Sequence, residues 1–485
     1  MLTLEEIKTF MDNDATSTKK QFARTGQNYY EGKHDIQNYR IFFVDANGSL
    51  QEDRYRSNIK IAHPFFKILA DQEAQYILSG NDGIFKSDIP ELQSELDTYF
   101  NSNDDFNAEL YDAILDSIVK GSAFLYAYKD AEGRTAFQCA DSIGVVEIEA
   151  RFASDKQAHI LYWYLDRIDK DGKKIIRIQD WDSAQTSFYV QEGDGKIIKD
   201  DSVELNPRPH VIYHKDGDDA TYYDGFGYIP FFRLDNNKKQ QSGLYAIKDQ
   251  IDSYDLMNCG LANNIQDTNE ALYVVKGFSG DNLDELMLNI KAKKHIGVDE
   301  DGDVEIRTID IPYEARKIKM EIDEKNIFRF GLGVNTEALK DTSATVSVAI
   351  KSAYANLDLK CNGFTIELKR FLRKPLKVVL DEINEANGTD YRLKDVYFNL
   401  EREIITNAQE NAQIALTEAQ TQQTRITTLL SLATHLGNEL LMQNICETLE
   451  LDYDDLKDKL PNPEEDEMDA LQADLNAVPT EEVVE

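Results

Sequence analysis

His210 and His214 stand four residues apart, a spacing that puts two imidazoles on one face of a helix and, within HExxH, on a catalytic zinc. Here they flank Val211, Ile212 and Tyr213 with no glutamate in the motif, so the pair reads as packing. Asp299-Glu300-Asp301-Gly302-Asp303 has the carboxylate density of a calcium loop, but its glycine falls fourth rather than sixth and no glutamate stands twelfth. It reads as a hairpin turn. Gly331-Leu332-Gly333 lacks the third glycine of a dinucleotide loop and follows helical periodicity rather than a strand, the place of a helix C-cap. No GxxxxGK[ST] occurs, so the chain does not hydrolyse nucleotide through a P-loop. Cys139, Cys259, Cys361 and Cys446 lie far apart without a CxxC pair, which implies neither a disulfide framework nor a zinc site. No catalytic residue, metal or cofactor is expected.

Two groups of residues survive this filter. Lys291, Lys293, Lys294 and His295 form one compact basic cluster in an acidic chain. The plain reading is positive charge favouring a helix C-terminus; the functional one is a docking face for acidic partners. The second group is the polar linker 334–345 (Val-Asn-Thr-Glu-Ala-Leu-Lys-Asp-Thr-Ser-Ala-Thr), which carries Lys340 and no large apolar anchor beyond its own leucine.

Charge narrows the class. With 89 acidic against 53 basic residues, a formal charge of −36, the surface does not grip nucleic acid by counterion release, which needs clustered Lys and Arg. A conduit is compatible, because a wall past which phosphates slide must not hold them; the same charge also simply confers solubility. The start, Met-Leu-Thr-Leu-Glu-Glu-Ile-Lys, is too acidic for a signal peptide, and no uninterrupted apolar stretch approaches a membrane span. Synthesis in the cytosol and no membrane partner are expected.

The elements that must position these residues centre on 229–383. A short apolar strand, Ile229-Pro230-Phe231-Phe232, leads to Ser242 at an N-cap and to a helix whose apolar stripe is Ile247, Ile251, Tyr254, Met257, Leu261 and Ile265, with Asp249, Asp252 and Asp255 on polar faces. Asp267-Thr268-Asn269 stops it. A strand at 271–276, an amphipathic run at Leu283, Leu286, Met287 and Ile290, and two strands about Asp301-Gly302 form an insert. Pro312 opens a second helix through Ala315, Ile318 and Ile322 toward Phe328, ended by Gly331 and Gly333. After the linker, Ile350, Tyr354, Leu357, Cys361, Phe364, Leu368 and Phe371 give one seam on a helix over 346–383, about 57 Å long, which Gly363 and Pro375 are expected to bend.

Residues 1–125 read as mostly helical, with a turn at Asp45-Ala46-Asn47-Gly48. From 122 to 232, short Tyr, Ile, Val and Phe runs alternate with Glu132-Gly133, Asp171-Gly172, Gly193-Asp194-Gly195 and Asp216-Gly217, predicting successive hairpins. Val396-Tyr397-Phe398-Asn399-Leu400 predicts a returning strand, 403–435 a helix rich in Ala, Gln, Thr and Asn, and 461–485 a mobile acidic tail.

Over roughly residues 20–435 the chain resembles the portal, or head-to-tail connector, proteins of tailed double-stranded-DNA bacteriophages, of the long-tailed-phage type. The resemblance is carried by Tyr29-Tyr30-Glu31-Gly32-Lys33-His34-Asp35-Ile36, by Asn58-Ile59-Lys60-Ile61-Ala62-His63-Pro64-Phe65 leading into Asp71-Gln72-Glu73-Ala74-Gln75-Tyr76-Ile77-Leu78-Ser79-Gly80, and by 229–232 followed by Ala246-Ile247-Lys248-Asp249-Gln250-Ile251-Asp252-Ser253-Tyr254-Asp255. None is a chemical motif; their order with the helix plan is the signal. It implies an α+β, mainly helical portal fold in a cyclic ring, a dodecamer. In those terms 1–233 is the wing (β-rich over 122–233), 234–269 the first stem helix, 270–310 the clip, 311–333 the second stem helix, 334–345 the tunnel loop, 346–387 the long wing helix, 388–402 the returning strand, 403–460 the crown and 461–485 the tail. It places Asn335, Thr336, Glu337, Lys340, Asp341, Thr342 and Ser343 against DNA, and the basic cluster on the clip. It further implies as partners further copies of the chain, the terminase large subunit, a head-completion adaptor, the major capsid and scaffolding proteins, and double-stranded DNA passing without sequence preference. The location implied is one vertex of the virion, reached from the host cytoplasm.

Two other functions compete. A metal-dependent nuclease could draw on the many carboxylates, yet no pair of acids stands beside a Lys or His in a recognisable spacing. A coiled-coil head-assembly scaffold could be built on the 346–383 seam without any channel.

Overall fold

The computed structural model describes residues 1–45, 47–53, 56–80, 83–130, 132–214, 221–268, 272–278, 298–307, 313–335, 347–402, 408–432, 438–449 and 453. It is a mixed α+β structure in two compact units, one made of Met1–Thr345 with Ala349–Ile404 and the other of Ile405–Glu485 with Val346–Val348.

The larger unit begins with helices α1 (Leu4–Ala15), α2 (Thr18–Tyr30), α3 (Phe65–Ile77), α4 (Pro90–Leu96) and α5 (Asp104–Lys120). Their ends follow local chemistry. Thr3 and Glu6 close a capping box on α1, and Ser17 and Asn103 cap α2 and α5 through their side-chain oxygens. Gly121 ends α5 at φ 91°, with the Gln240 carbonyl 2.3 Å from where a Cβ would stand, so both conformation and space demand glycine there. Helix α5 buries Phe106, Leu110, Ile114 and Ile118, the four-residue repeat of one helical face.

Strands follow where hairpins are predicted. Ser122–Lys129 pairs with Thr135–Ala140 on one side and Phe231–Asp235 on the other. Val145–Ile148, His159–Ile168, Lys174–Trp181 and Gln185–Glu192 form an antiparallel meander whose last strand also pairs with Ile198–Lys199 and Arg208–Pro209. Gly133, Gly172 and Gly193 turn these strands at positive φ; 216–217 lie outside the described residues. Helix α1 lays Ile7 on the meander against Leu161 and Ile178, while Tyr126, Tyr162, Trp181 and Phe231 join the two sheets. His210 packs at a tilt against Trp181 and against Phe226, and His214 falls in the strand Val211–His214, so the two histidines share no helix.

Helices α6 (Lys248–Thr268), α7 (Tyr313–Gly331) and α8 (Ser347–Asn387) complete the main core. Helix α8 runs 41 residues, through Gly363 and Pro375, and buries Leu357, Cys361, Phe364, Leu368 and Phe371 as its seam predicts. Tyr397–Phe398 returns to pair with Phe85–Lys86.

Three expectations are corrected. On α6 the buried row is Ile247, Ile251, Asp255 and Cys259, not the stripe through Met257 to Ile265: Ile265 is 51% exposed and Asp255, assigned to a polar face, is 0% exposed. Hydrogen-bond partners for its charge, His34 and His63, outweigh the hydropathy pattern. On α7, Ile318 and Ile322 are 53% and 49% exposed, whereas Asp323, Ile327 and Gly331 face inward. Finally, Asp301-Gly302 is no hairpin turn. Val298–Arg307 is one strand paired with Leu272–Phe278, and the extra residues are absorbed by an irregularity between the Lys276–Asp303 and Phe278–Val298 pairs. The run at 283–290 lies outside the described residues.

In the smaller unit, α9 (Ala408–Ser431) and α10 (Asn438–Thr448) pack together. Leu441 and Cys446 are buried there, while Leu416, Leu432 and Leu440 are exposed. Among the described residues no helix is long and apolar enough to cross a membrane, and no group of three His, Cys, Asp or Glu is arranged to hold a metal ion.

Candidate functional site

Lys291, Lys293, Lys294 and His295, and Thr336, Glu337, Lys340, Asp341, Thr342 and Ser343, lie outside the described residues. Asn335 is described; its side-chain amide donates to Glu324 Oε1 at 3.3 Å. What the structure does show is the base from which the polar loop departs.

Helix α7 ends at Gly331, Leu332 turns at φ 53°, and Gly333 N donates back to the Phe328 carbonyl at 3.0 Å, one of the bonds that close a helix C-terminus. Helix α3 lies across this turn. Leu69 fills the space a side chain would need: its methyls stand 2.7 Å and 2.0 Å from the Cβ positions of Gly331 and Gly333. One step on, Gln72 takes the Val334 N–H on Oε1 (3.2 Å) and donates from Nε2 to the Val334 carbonyl (3.0 Å). From α8, Lys360 donates to the Gly331 carbonyl at 3.0 Å and lies 2.8 Å from Glu73 Oε2, ion-pair distance without the angle of a hydrogen bond. Glu73 is 1% exposed, so this lysine is the counter-charge for a buried carboxylate. Helices α3 and α8 thus clamp the turn at the end of α7, and Gln72 of α3 holds the loop's first residue.

A second arrangement fixes α6. Residues 57–63 take an extended course along it, and every second amide donates to a side chain: Ser57 N to Asp267 Oδ1 (3.1 Å), Ile59 N to Asn263 Oδ1 (2.6 Å), Ile61 N to Cys259 Sγ (3.2 Å) and His63 N to Asp255 Oδ1 (3.1 Å). The match is metric, since four helical residues rise about 6.0 Å and two extended residues about 6.6 Å. The ladders therefore stay in step along the strap.

At the inner end, Asp255 accepts from His34 Nδ1 on Oδ2 (2.6 Å) and from His63 Nδ1 on Oδ1 (2.7 Å). Burial raises the energy of its charge, but the hydrogen bonds from His34 and His63 outweigh that and hold its pKa below the usual carboxylate value. Beside it, Tyr29 stacks on His34 with ring centres 4.4 Å apart and donates to Asp252, and Lys248 bridges Asp252 and Asp35 at 2.6 Å each. The sequence stretches 29–36, 58–65 and 246–255, separate in the chain, meet here. Sequence reasoning missed the ladder. Its one legible trace is the four-residue spacing of Asp255, Cys259, Asn263 and Asp267, which has no meaning until the strap lies against it.

Nothing in this geometry activates a nucleophile or a water. The carboxylate oxygens of Asp255 are committed to imidazole and amide donors, and the loop base consists of backbone groups satisfied by side chains.

Residues 12–449 match the family model described as "Phage portal protein, SPP1 Gp6-like". Among similar proteins, the portal protein of Clostridium phage phiCD119 is 27% identical over 427 residues, 85% of this chain and 89% of that one. The portal protein of Bacillus phage SPP1 is 26% identical over 352 residues, 72% of this chain and 67% of that one. A solved chain from "Neck of native GTA particle computed with C12 symmetry" aligns over 80% of this chain and 90% of its own, with 10% identity and a TM-score of 0.38. The family match spans both the strap and the loop base.

Proposed function

The chain belongs to the phage portal protein family, SPP1 Gp6-like, and from that premise we propose that it forms the ring channel at one capsid vertex, through which DNA is packaged and ejected and to which the tail is joined. The role is structural rather than enzymatic. The ring is a closed cyclic homo-oligomer, a dodecamer, and DNA passes through it without sequence recognition. A separate terminase large subunit drives packaging, a head-completion adaptor docks afterwards, and the major capsid and scaffolding proteins surround the ring in the virion after assembly in the host cytoplasm.

In this reading 1–233 is the wing, α6 and α7 are the stem, 270–310 the clip, 334–345 the tunnel loop, α8 the long wing helix and 403–460 the crown. The observation that carries it is the family match across 12–449. The loop base supports it: a polar segment bearing Lys340 leaves a rigid anchor between two long helices. A charge of −36 suits a wall that lets phosphate pass. Exposed Ile318 and Ile322 on α7 and Leu359 and Ile366 on α8 offer apolar surface to further copies.

Negative-stain images and native mass spectrometry of the purified chain test the ring. Closed rings with a central hole are expected; monomers alone across a wide concentration range would overturn it. For the clip, changing Lys291, Lys293 and Lys294 together to Glu should leave rings intact and abolish co-sedimentation with the docking partner. Unchanged docking would remove the cluster from that interface.

A further inference from the structure

The strap over residues 57–63 is held unevenly. Its inner end is tied twice to Asp255, through the His63 backbone and ring, and that ring packs edge-on against Tyr254 with centres 4.8 Å apart. Outward from there Ser57 and Ile59 are each tied by a single hydrogen bond from the amide to a side chain of α6, and Ile61 by two sulfur bonds, its amide donating to Cys259 Sγ and its carbonyl accepting from that thiol at 3.6 Å. Along this outer part Ile59 is 37% and Ile61 38% exposed, and the ties on its other edge, Lys60 Nζ to the Gln37 carbonyl and Asn58 Nδ2 to the Tyr39 carbonyl, are exposed as well. Segments with exposed hydrogen bonds and little apolar burial open at a free energy well below that of global unfolding. The Ser57 end also adjoins the two-stranded hairpin Phe42–Val44 with Leu50–Glu52, whose Phe42, Val44 and Leu50 are at least half exposed, so little packing holds it from that side.

We propose that this strap is a latch that opens on its own. It peels from Ser57 toward His63 while the His34–Asp255–His63 knot stays closed, and its opening frees the Asp267 end of α6, with α7 packed along it through Met320 and Arg316, to move relative to the body that holds the Lys248 end. Asn263 and Asp267 are then positioning residues for that helix. The consequence in a particle, a stem helix fixed at one end and adjustable at the other, rests on the portal reading. The opening itself is a property of the chain and does not.

Cys259 reports the latch directly. It is 3% exposed, and its sulfur lies against the strap, accepting from Ile61 N; Cys361, 0% exposed in the α8 seam, reports opening of the main core. The full-length protein is labelled with N-ethylmaleimide under native conditions and the modified cysteines are read by peptide mass spectrometry over time. The latch predicts that Cys259 is modified at least about 10-fold faster than Cys361. It also predicts that Asn263→Ala with Asp267→Ala accelerates Cys259 by a further factor of about 10 and leaves Cys361 unchanged. Equal rates for the two cysteines in the wild-type protein, or acceleration of both alike in the variant, would overturn the proposal. Should the double variant not fold, the wild-type comparison alone decides. Because labelling is read whatever the assembly state, a chain that forms no rings yet labels Cys259 selectively refutes the portal reading and leaves the latch standing.

Discussion

Gln72 satisfies both backbone groups of Val334, with its amide nitrogen 3.0 Å from the carbonyl and its amide oxygen 3.2 Å from the N–H. A side-chain amide used this way imitates a strand partner one residue long. It fixes the direction in which the chain leaves α7.

Replacing Gln72 by Ala should remove both bonds and leave half-buried backbone groups to be solvated imperfectly, a cost of about 1–3 kcal/mol. Chemical denaturation of the wild type and variant gives the difference. Glu at this position keeps the acceptor for the Val334 N–H but sets a carboxylate oxygen against the Val334 carbonyl, so it too should be less stable than the wild type; a Glu variant as stable as the wild type would mean that the bond to the carbonyl contributes nothing.

Gly333→Ala would place a methyl 2.0 Å from Leu69 Cδ2, an overpacking that costs about 1–3 kcal/mol. Leu69→Ala alone should cost about 2–5 kcal/mol by opening a cavity. The two together should be less damaging than their sum, because the methyl enters space the leucine vacated. Strict additivity in the double-mutant cycle would show that the crowding is relieved elsewhere.

Lys360→Met strands the buried carboxylate of Glu73 and should destabilise the chain by about 3–5 kcal/mol. Adding Glu73→Gln should restore much of that loss, since an unpaired buried amide is far cheaper than an unpaired buried charge. Thermal unfolding of the four proteins tests it: no recovery in the double variant would assign the effect to the lost bond to the Gly331 carbonyl instead.

The pH dependence has two limbs. Burial of His159 disfavours its imidazolium, but hydrogen bonds to Asp180 (2.8 Å) and Asp155 (2.9 Å) outweigh this and raise its pKa. That contribution is complete below about pH 6.5 and lost as pH rises through the folded value. Asp255, with its pKa depressed, contributes above about pH 4 and is lost as pH falls through its folded value. Denaturation midpoints should therefore decline from pH 6 toward 8, and His159→Asn should flatten that decline while leaving the acid limb. A wild-type midpoint that rises over pH 6–8 contradicts the sign.

Deleting residues 337–343 should leave ring assembly unchanged and reduce the DNA packaged or retained per particle. Lys340→Glu should shift the amount or rate of packaging, because weak contacts screened within about 8 Å are repeated once per subunit. A large apolar residue at Thr342 should obstruct passage. Particles with wild-type DNA length in the deletion variant would take this loop out of the channel.

The sequence alone determined what depends on period and on turn chemistry. The α8 seam at Leu357, Cys361, Phe364, Leu368 and Phe371, the glycine turns of the strands and the end of α7 near Gly331 follow from neighbours a few residues apart, and those signals are local; that Leu332 takes the positive φ while Leu69 demands glycine on either side of it is tertiary. Only the tertiary structure decided which face of α6 is inside. Asp255 is buried because His34 and His63, some two hundred residues away in the chain, bring donors to it, and hydropathy periodicity contains no term for a partner that arrives from elsewhere. The strap is the same case: its amides at 57, 59, 61 and 63 carry no side-chain signature of what they bind, since every residue but proline has an N–H. At Asp301-Gly302 turn chemistry predicts a hairpin, but pairing with Leu272–Phe278 makes it an irregular strand, because a run of paired strand residues outweighs the preference of two residues for a bend.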